Sequence, residues 1–320
     1  MSKAERLKSE TATEYDVLTN LKNLDYKVLP LGVSSDASVI SRAIRHFNPN
    51  IVFNLMEEFH HKASFDQNVV SFLEMKKIPY TGCNPQGLIL ARNKDLAKKV
   101  LKYHGISTPD FKVYPLNLTL KNANLNFPVI VKCLNEEGSL GLSKASIVSS
   151  EKKLLERVKF IHKKFGVDAI AEEFIKGREF FVGLMGNQQV EVLPPWEFLI
   201  NGNNPPENEF YTDKAKFDLA YRKKKGIITK SAKLSAFKER DIKNICIETF
   251  KVLQLNGYAR IDLRMDDKGE IWVIEANPNP CMAFDDEFAM SAKHLGIEYP
   301  ALLEKIIDLG LKWHEYKMAA

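Results

Sequence analysis

The 320-residue sequence predicts an α/β protein, α+β when taken whole, with a parallel sheet in its N-terminal part and hairpins toward its C-terminus. Three observations predict it. Strand-like and helix-like patterns alternate up to residue 91. Beyond that point, strand patterns meet through tight turns, as in "ARIDLRMDDKGEIWVIEAN". Hydrophobic residues are 45% and charged residues 27%, values of an ordinary soluble globular protein.

In order, residues 11–24 read as a helix and "YKVLPLGV" (26–33) as a strand. "DASVISRAIRHF" (36–47) carries apolar residues at helical spacing behind an Asp that can cap. "NIVFNL" (50–55) reads as a buried strand, "FDQNVVSFLEMKKI" (65–78) as a helix and "PYTGC" as a short strand or turn. Such alternation predicts a parallel sheet covered on both faces, forming a first domain over 1–91. A second domain, 92–178, begins with the capped helix "NKDLAKKVLKYHG" (93–105) and the linker "STPDFKVYP". The strand "FPVIVKCLN", a Gly/Ser-rich turn, the helix over 149–166 and the strand "DAIAEEFI" follow. The third domain, 179–320, holds a hairpin turning at "GNQQ", a polar stretch over 201–233, a helix over 237–255, the second hairpin and a helix over about 299–314. A loop as long as 201–233 inside a domain is functional or disordered.

No run reaches the ~18 apolar residues of a membrane span, and "MSKAERLKSETATEYDV" lacks an apolar signal core, so a cytoplasmic location is expected. Cys83, Cys133, Cys246 and Cys281 lie far apart with no CxxC spacing, which argues against a zinc site and predicts reduced thiols. The net charge of +5 is scattered; its densest run, "YRKKKG" (221–226), lacks interleaved aromatics, so nucleic acid is not the expected partner.

Taken as strands around a turn at Lys268-Gly269, "ARIDLRM" (259–265) and "EIWVIEAN" (270–277) oppose Asp262 to Glu275 and Arg260 to Asn277. Side chains alternate along a strand, so all four share a face. Opposed carboxylates repel unless a cation lies between them, and Asp, Glu and Asn oxygens suit Mg²⁺. The spacing also allows a solvated face on which Arg260 neutralises the acids. In "VKCLNEEGSLGLSK", Lys132 ends a strand before a turn with Gly138, Ser139 and Gly141. That turn either cradles phosphate with its backbone N–H groups or is an ordinary strand–turn–strand; P-loop spacing is absent. Lys94 is either a second phosphate cation or a surface residue. "AEEFIKGREF" (171–180) offers Glu172 and then Glu179, either an adenine- and ribose-holding edge or solvated acids on an edge strand.

Together these segments resemble the ATP-grasp superfamily and, within it, the D-alanine–D-alanine ligase family. From about residue 50 onward, "IPYTGCNPQGLILARNKDLAKKVLKYHGISTPDF", "FPVIVKCLNEEGSLGLSK", "EEFIKGREFFVG", "FYTDKAKFD" and "ARIDLRMDDKGEIWVIEANPNP" follow in that family's order. The resemblance implies a three-domain ATP-grasp fold with ATP between two antiparallel sheets. By motif, Lys94, Lys132 and Ser139 fall on the phosphate side, Glu172, Phe174 and Ile175 on the adenine side, and Glu179 on the ribose. Lys216 and Phe210 fall in a loop that closes over the nucleotide. Asp262, Glu275 and Asn277 fall on two Mg²⁺ ions, with Mn²⁺ as a substitute, and Arg260 on the tetrahedral intermediate. The implied reaction is ATP-dependent ligation through an acyl phosphate. Its partners are ATP and small amino-acid or peptide substrates, with no membrane, and the family suggests a homodimer.

The departures gather on the amino-acid side. The family's first strand and its Gly-rich loop have no counterpart, so either the chain starts late or the first domain is a strand short; Glu14 is the candidate stand-in for that loop's Glu. The family's Lys-Tyr is Lys216-Phe217, its loop serine falls at Gly138, and its Gly after "NxxP" is Cys281. Its Ser-Leu that holds the second substrate's carboxylate is replaced within "FDDEF" (284–288). Asp285, Asp286 or Glu287 suits a cationic or amine-bearing acceptor better than a carboxylate. His60 and His61 fall where the family places first-substrate residues, or lie on the surface. The alternative function is a nucleotide-binding protein without ligase chemistry.

Overall fold

Two antiparallel sheets hold the strands. The structure is a computed structural model and describes residues 11–118, 124–135, 141–205, 209–212, 215 and 218–319. Four strands form the smaller sheet: β1 (Phe111–Tyr114), β2 (Val129–Cys133), β3 (Ile147–Val148) and β4 (Ala169–Glu173), in the order β1-β4-β2-β3. One face packs on helix α6 (Glu151–Phe165), which presents Leu154, Val158 and Ile161 at helical spacing to Val129, Val131, Ala169 and Ala171. Ser150 caps α6 by accepting from Lys153 N, and Gly166 ends it in the left-handed region. Strand alternation turns Ile130, Lys132 and Glu172 to the opposite face.

The larger sheet runs β10-β9-β5-β7-β8, with β6 beside β5. Its strands are β5 (Arg178–Gly186), β6 (Val190–Val192), β7 (Trp196–Ile200), β8 (Ile227–Ser231), β9 (Gly257–Met265) and β10 (Ile271–Pro278). Phe180, Val182, Leu184, Ala259, Ile261 and Leu263 form its core face, against Ile242, Cys246 and Phe250 of α8 (Ala236–Val252). The same core continues into α3 (Asp66–Met75), α4 (Pro85–Arg92) and α5 (Lys94–Tyr103). Met185 and Tyr258, on the other face, pack with α1 (Ala12–Asn23), α9 (Glu287–His294) and α10 (Tyr299–Ala319). Gly177, at φ +127, joins the two sheets; a Cβ there would collide with the Met265 carbonyl.

The β9–β10 register is the expected one where it matters: Glu275 pairs with Asp262 and Asn277 with Arg260. Nearer the turn it shifts, because Leu263 pairs with Val273 and Ile274 is left as a bulge. The bulge reconciles two demands. Strict alternation would put Ile271, Val273, Glu275 and Asn277 on one face; with one extra residue, Ile271, Val273 and Ala276 stay in the core and the polar pair turns to the other side.

The parallel sheet expected in the first domain is reduced, among the described residues, to one parallel bridge between Val52 and Tyr80. "YKVLPLGV" has no regular secondary structure and joins no sheet, and Leu29 and Leu31 stand 46% and 45% exposed. A parallel strand is stabilised by neighbours and covering helices, and no strand lies beside this segment among the described residues. The helices expected there form: α1, α2 (Ser38–Phe47) and α3. Other elements escaped the pattern. The linker supplies edge strand β1, and the polar stretch contains α7 (Leu219–Lys225), capped by Asp218, and then β8. Helix α4 is capped by Asn84 and has Pro85 at its first position. Among the described residues, no helix is long and apolar enough to cross a membrane.

Candidate functional site

A cleft opens between the two sheets. The smaller sheet contributes Ile130, Lys132 and Glu172, and the larger contributes Asp262, Arg264 and Glu275. Phe174, Ile175 and Glu179 lie along the crossing segment, with Phe210 and Tyr211 over them. Phe174 and Phe210 meet edge-on at 6.2 Å between centroids and, with Ile130, form a small apolar cluster. One side of the cleft is thus aromatic and apolar, and the other carries ions.

Charge is arranged in two groups. In the first, Lys132 Nζ donates to Glu172 Oε2 at 3.0 Å, and Lys98 Nζ lies 3.5 Å from the same oxygen. Glu172 is 1% exposed, and its Oε1 has no hydrogen-bond partner among the described residues. Burial works against ionisation of Glu172, yet the Lys132 and Lys98 ammoniums hold its carboxyl below the usual range. Burial likewise opposes the Lys132 charge, and Glu172 outweighs it, so the Lys132 pKa is raised. For Lys98 burial wins, and the ammonium is pushed down to about 8.

In the second group, Arg260 forks onto Asp262, Nε to Oδ1 at 2.7 Å and Nη2 to Oδ2 at 3.0 Å. It also stacks 5.3 Å from the Phe181 ring centroid. Burial opposes the Arg260 charge, but Asp262 overcomes it and carries the pKa well above the usual arginine value. Glu275 and Asn277 project from β10 on this side. Among the described residues, no cluster of three or more His, Cys, Asp or Glu has metal-holding geometry.

The predicted residues fall as follows. Lys132, Glu172, Phe174, Ile175, Glu179, Phe210, Asp262 and Glu275 line the cleft together. Arg260 and Asn277 continue the same sheet face beyond that lining. Lys94 is half-buried and opens α5 outside the lining. Ser139 and Lys216, like Gly138 and Phe217, lie outside the described residues. Glu14, His60 and His61 are exposed, and His61 sits 3.4 Å from Glu58. Asp285 is exposed, Asp286 half-buried and Glu287 buried, where it accepts from Tyr211 Oη at 2.9 Å. Burial and the Glu287 charge push Asp286 up to about 8; Glu287, which burial alone would raise, is held low by Arg260. Asp286 Oδ1 is shut from solvent with no hydrogen-bond partner among the described residues.

Two residues were missed. Arg264 donates to the Ile175 carbonyl (2.6 Å), to Glu179 Oε2 (3.1 Å) and to the Glu209 carbonyl (2.9 Å), and lies 4.6 Å from the Phe174 ring centroid. It orders the crossing segment; its alternation with Arg260 and Asp262 was the available signal. Lys98 gave the weaker signal of a lysine on the apolar side of an amphipathic helix.

A family model described as the D-ala D-ala ligase C-terminus matches residues 93–308. A D-alanine–D-alanine ligase of Halothermothrix orenii is 27% identical over 329 residues, covering 92% of each chain. An uncharacterized protein of Sinorhizobium fredii, y4sG, is 35% identical over 259 residues, 81% of this chain and 74% of its own. Among solved structures, a Bacillus anthracis D-alanine–D-alanine ligase complexed with ATP superposes with a TM-score of 0.77 at 23% identity, covering 99% of this chain and 96% of its own. The VanG D-Ala:D-Ser ligase of Enterococcus faecalis does so with 0.65 at 23% identity, over 82% and 73%. These likenesses show the fold, and with the family match over residues 93–308 they establish that the chain belongs to the D-alanine–D-alanine ligase-like family of ATP-grasp proteins.

Proposed function

We propose that the protein is an ADP-forming ligase that joins a carboxylate to an amine through an acyl phosphate, with an acceptor site altered from the family's. The observation that carries this reading is one cleft with an apolar aromatic side and opposed ionic walls, Lys132–Glu172 facing Asp262–Glu275. Phe174 and Phe210 suit an adenine ring, and the orphaned Glu172 Oε1 is an acceptor for its exocyclic amine. Lys132, turned toward the cleft, suits phosphate, and Glu179 suits a ribose hydroxyl. Asp262, Glu275 and Asn277 offer the hard oxygens that Mg²⁺ takes. When bound, Mg²⁺ neutralises charge on the transferring phosphoryl group. The units proposed for this work are 1–91, 92–178 and 179–320, with Gly177 near the second boundary.

In this reading an oxygen of the donor carboxylate attacks the γ-phosphorus and ADP leaves. The acceptor nitrogen then attacks the acyl carbon, the C–O bond to phosphate breaks, and the amine loses a proton. Arg260 stays cationic at any working pH and faces the negative charge that develops on the tetrahedral oxygen. Glu287, buried and held ionised, supports an acceptor that brings an amine or a cation rather than a free carboxylate, since like charges repel.

The test is ADP release across a panel of D- and L-amino acids, diamines and dipeptides with Mg·ATP. Stimulation by cationic or amine-rich acceptors is expected. Stimulation by D-alanine alone would overturn the altered acceptor. Tight ATP binding with no stimulation by any compound would leave a nucleotide-binding protein without ligase chemistry.

A further inference from the structure

Lys98 has no place in the reaction above, yet it is 1% exposed and its ammonium lies deep beside the cleft. Its Nζ donates to Thr108 Oγ1 at 3.1 Å and to the carbonyl of the bulged Ile274 at 3.2 Å. It also sits 3.5 Å from Glu172 Oε2. Two of these partners belong to the protein wall, so Lys98 is fixed. Lys132 contrasts with it: Lys132 lines the cleft, and Glu172 is its one hydrogen-bond acceptor among the described residues.

Two ammoniums therefore share one carboxylate oxygen, one from the cleft side and one from behind. Lys132 can turn to a phosphate only if Glu172 is not left as a bare buried anion, because an unpaired buried charge is strongly disfavoured. We infer that Lys98 is a positioning residue for nucleotide binding: it is the standing counter-ion of Glu172 that frees Lys132 to move onto the phosphates. The inference rests on the nucleotide reading of the cleft. It also explains how Glu172 stays charged while 1% exposed. The carboxylate stays ionised through Lys98 whichever way Lys132 points.

The test measures the ATP dissociation constant by titration calorimetry, with magnesium, in the parent and then in Lys98→Met, Glu172→Gln and the double variant. Lys98→Met is expected to weaken ATP binding tenfold or more, because Lys132 is then held by Glu172. In the double variant Glu172 no longer holds Lys132, so its affinity should match that of Glu172→Gln within about threefold. A purely structural role through Thr108 or Ile274 would survive in the double variant, since both contacts stay broken there. The inference is overturned if Lys98→Met binds ATP like the parent. It is also overturned if the double variant binds tenfold more weakly than Glu172→Gln. Should Lys98→Met alone fail to fold, the second comparison decides. A parent that binds no ATP overturns the nucleotide reading itself, a result told apart because the parent is measured first.

Discussion

Asp262 and Glu275 stand directly opposite each other across β9 and β10, in a register reached through the bulge at Ile274. Two opposed carboxylates destabilise a ladder pair unless a cation intervenes. Arg260 forks onto Asp262, so Glu275 is the acid that can be neutralised with that ion pair left intact. We expect Glu275→Gln to lower ADP-forming turnover by about a hundredfold or more, the size of a lost electrostatic contact at a reacting phosphoryl group. Its far-UV circular dichroism should match the parent's, because the change is isosteric and keeps the Arg260–Asp262 pair. Turnover within tenfold of the parent would remove Glu275 from the metal set.

The same repulsion makes the protein's stability respond to ligand. A ligand that binds only the folded state at a hundred times its dissociation constant stabilises by about 2.7 kcal/mol. Mg·ATP should therefore raise the melting temperature by a few degrees, and ATP with excess chelator should do less. A scan with no shift at saturating Mg·ATP counts against nucleotide binding altogether.

Away from the cleft, Asp66 and Arg92 tie α3 to α4 as a buried pair, with Arg92 Nε and Nη2 both 2.6 Å from Asp66 Oδ2. Neutralising Asp66 removes this ion pair from Arg92, which is 8% exposed. Asp66→Asn should cost about 3–5 kcal/mol in denaturant unfolding. Asp66→Leu with Arg92→Met should recover much of that loss, because no charge is then left buried. A cost for Asp66→Asn under 1 kcal/mol would mean that water reaches Arg92.

The ladder face carrying Asp262, Arg260, Glu275 and Asn277 was legible because period-two alternation and a Gly-containing turn fix both register and face. The bulge was not: it shows only as a phase slip between Val273 and Ala276, which reads as one apolar run. Caps made α5 and α6 legible, and the same chemistry at Asn84-Pro85 and Asp218 marked α4 and α7 within stretches that read as connections. The N-terminal sheet failed for another reason. "YKVLPLGV" has strand propensity, but a strand forms where neighbours pair with it, and propensity does not report the neighbour. Lys98 and Arg264 were missed because their partners, Glu172, Ile274, Ile175 and Glu209, are far away in the chain.

Asp286 gives the protein a pH dependence of predictable sign. Burial and Glu287 raise its folded-state pKa to about 8, above the ordinary 3.8. Between those values the folded chain holds a proton that the unfolded chain releases, so this group's contribution is complete below the ordinary value and is lost as pH rises through about 8. Glu287 shifts the other way, so its contribution is lost only as pH falls below the ordinary carboxyl range and does not mask the effect. Asp286 precedes α9 without a side-chain capping bond, so Asn there removes no cap. The melting temperature of Asp286→Asn should fall less than the parent's between pH 5 and 8 (about one unit above the ordinary carboxyl range to the folded pKa). The variant should be the more stable of the two at the upper end. Parallel melting curves for the two proteins across that range would mean that Asp286 is ionised throughout.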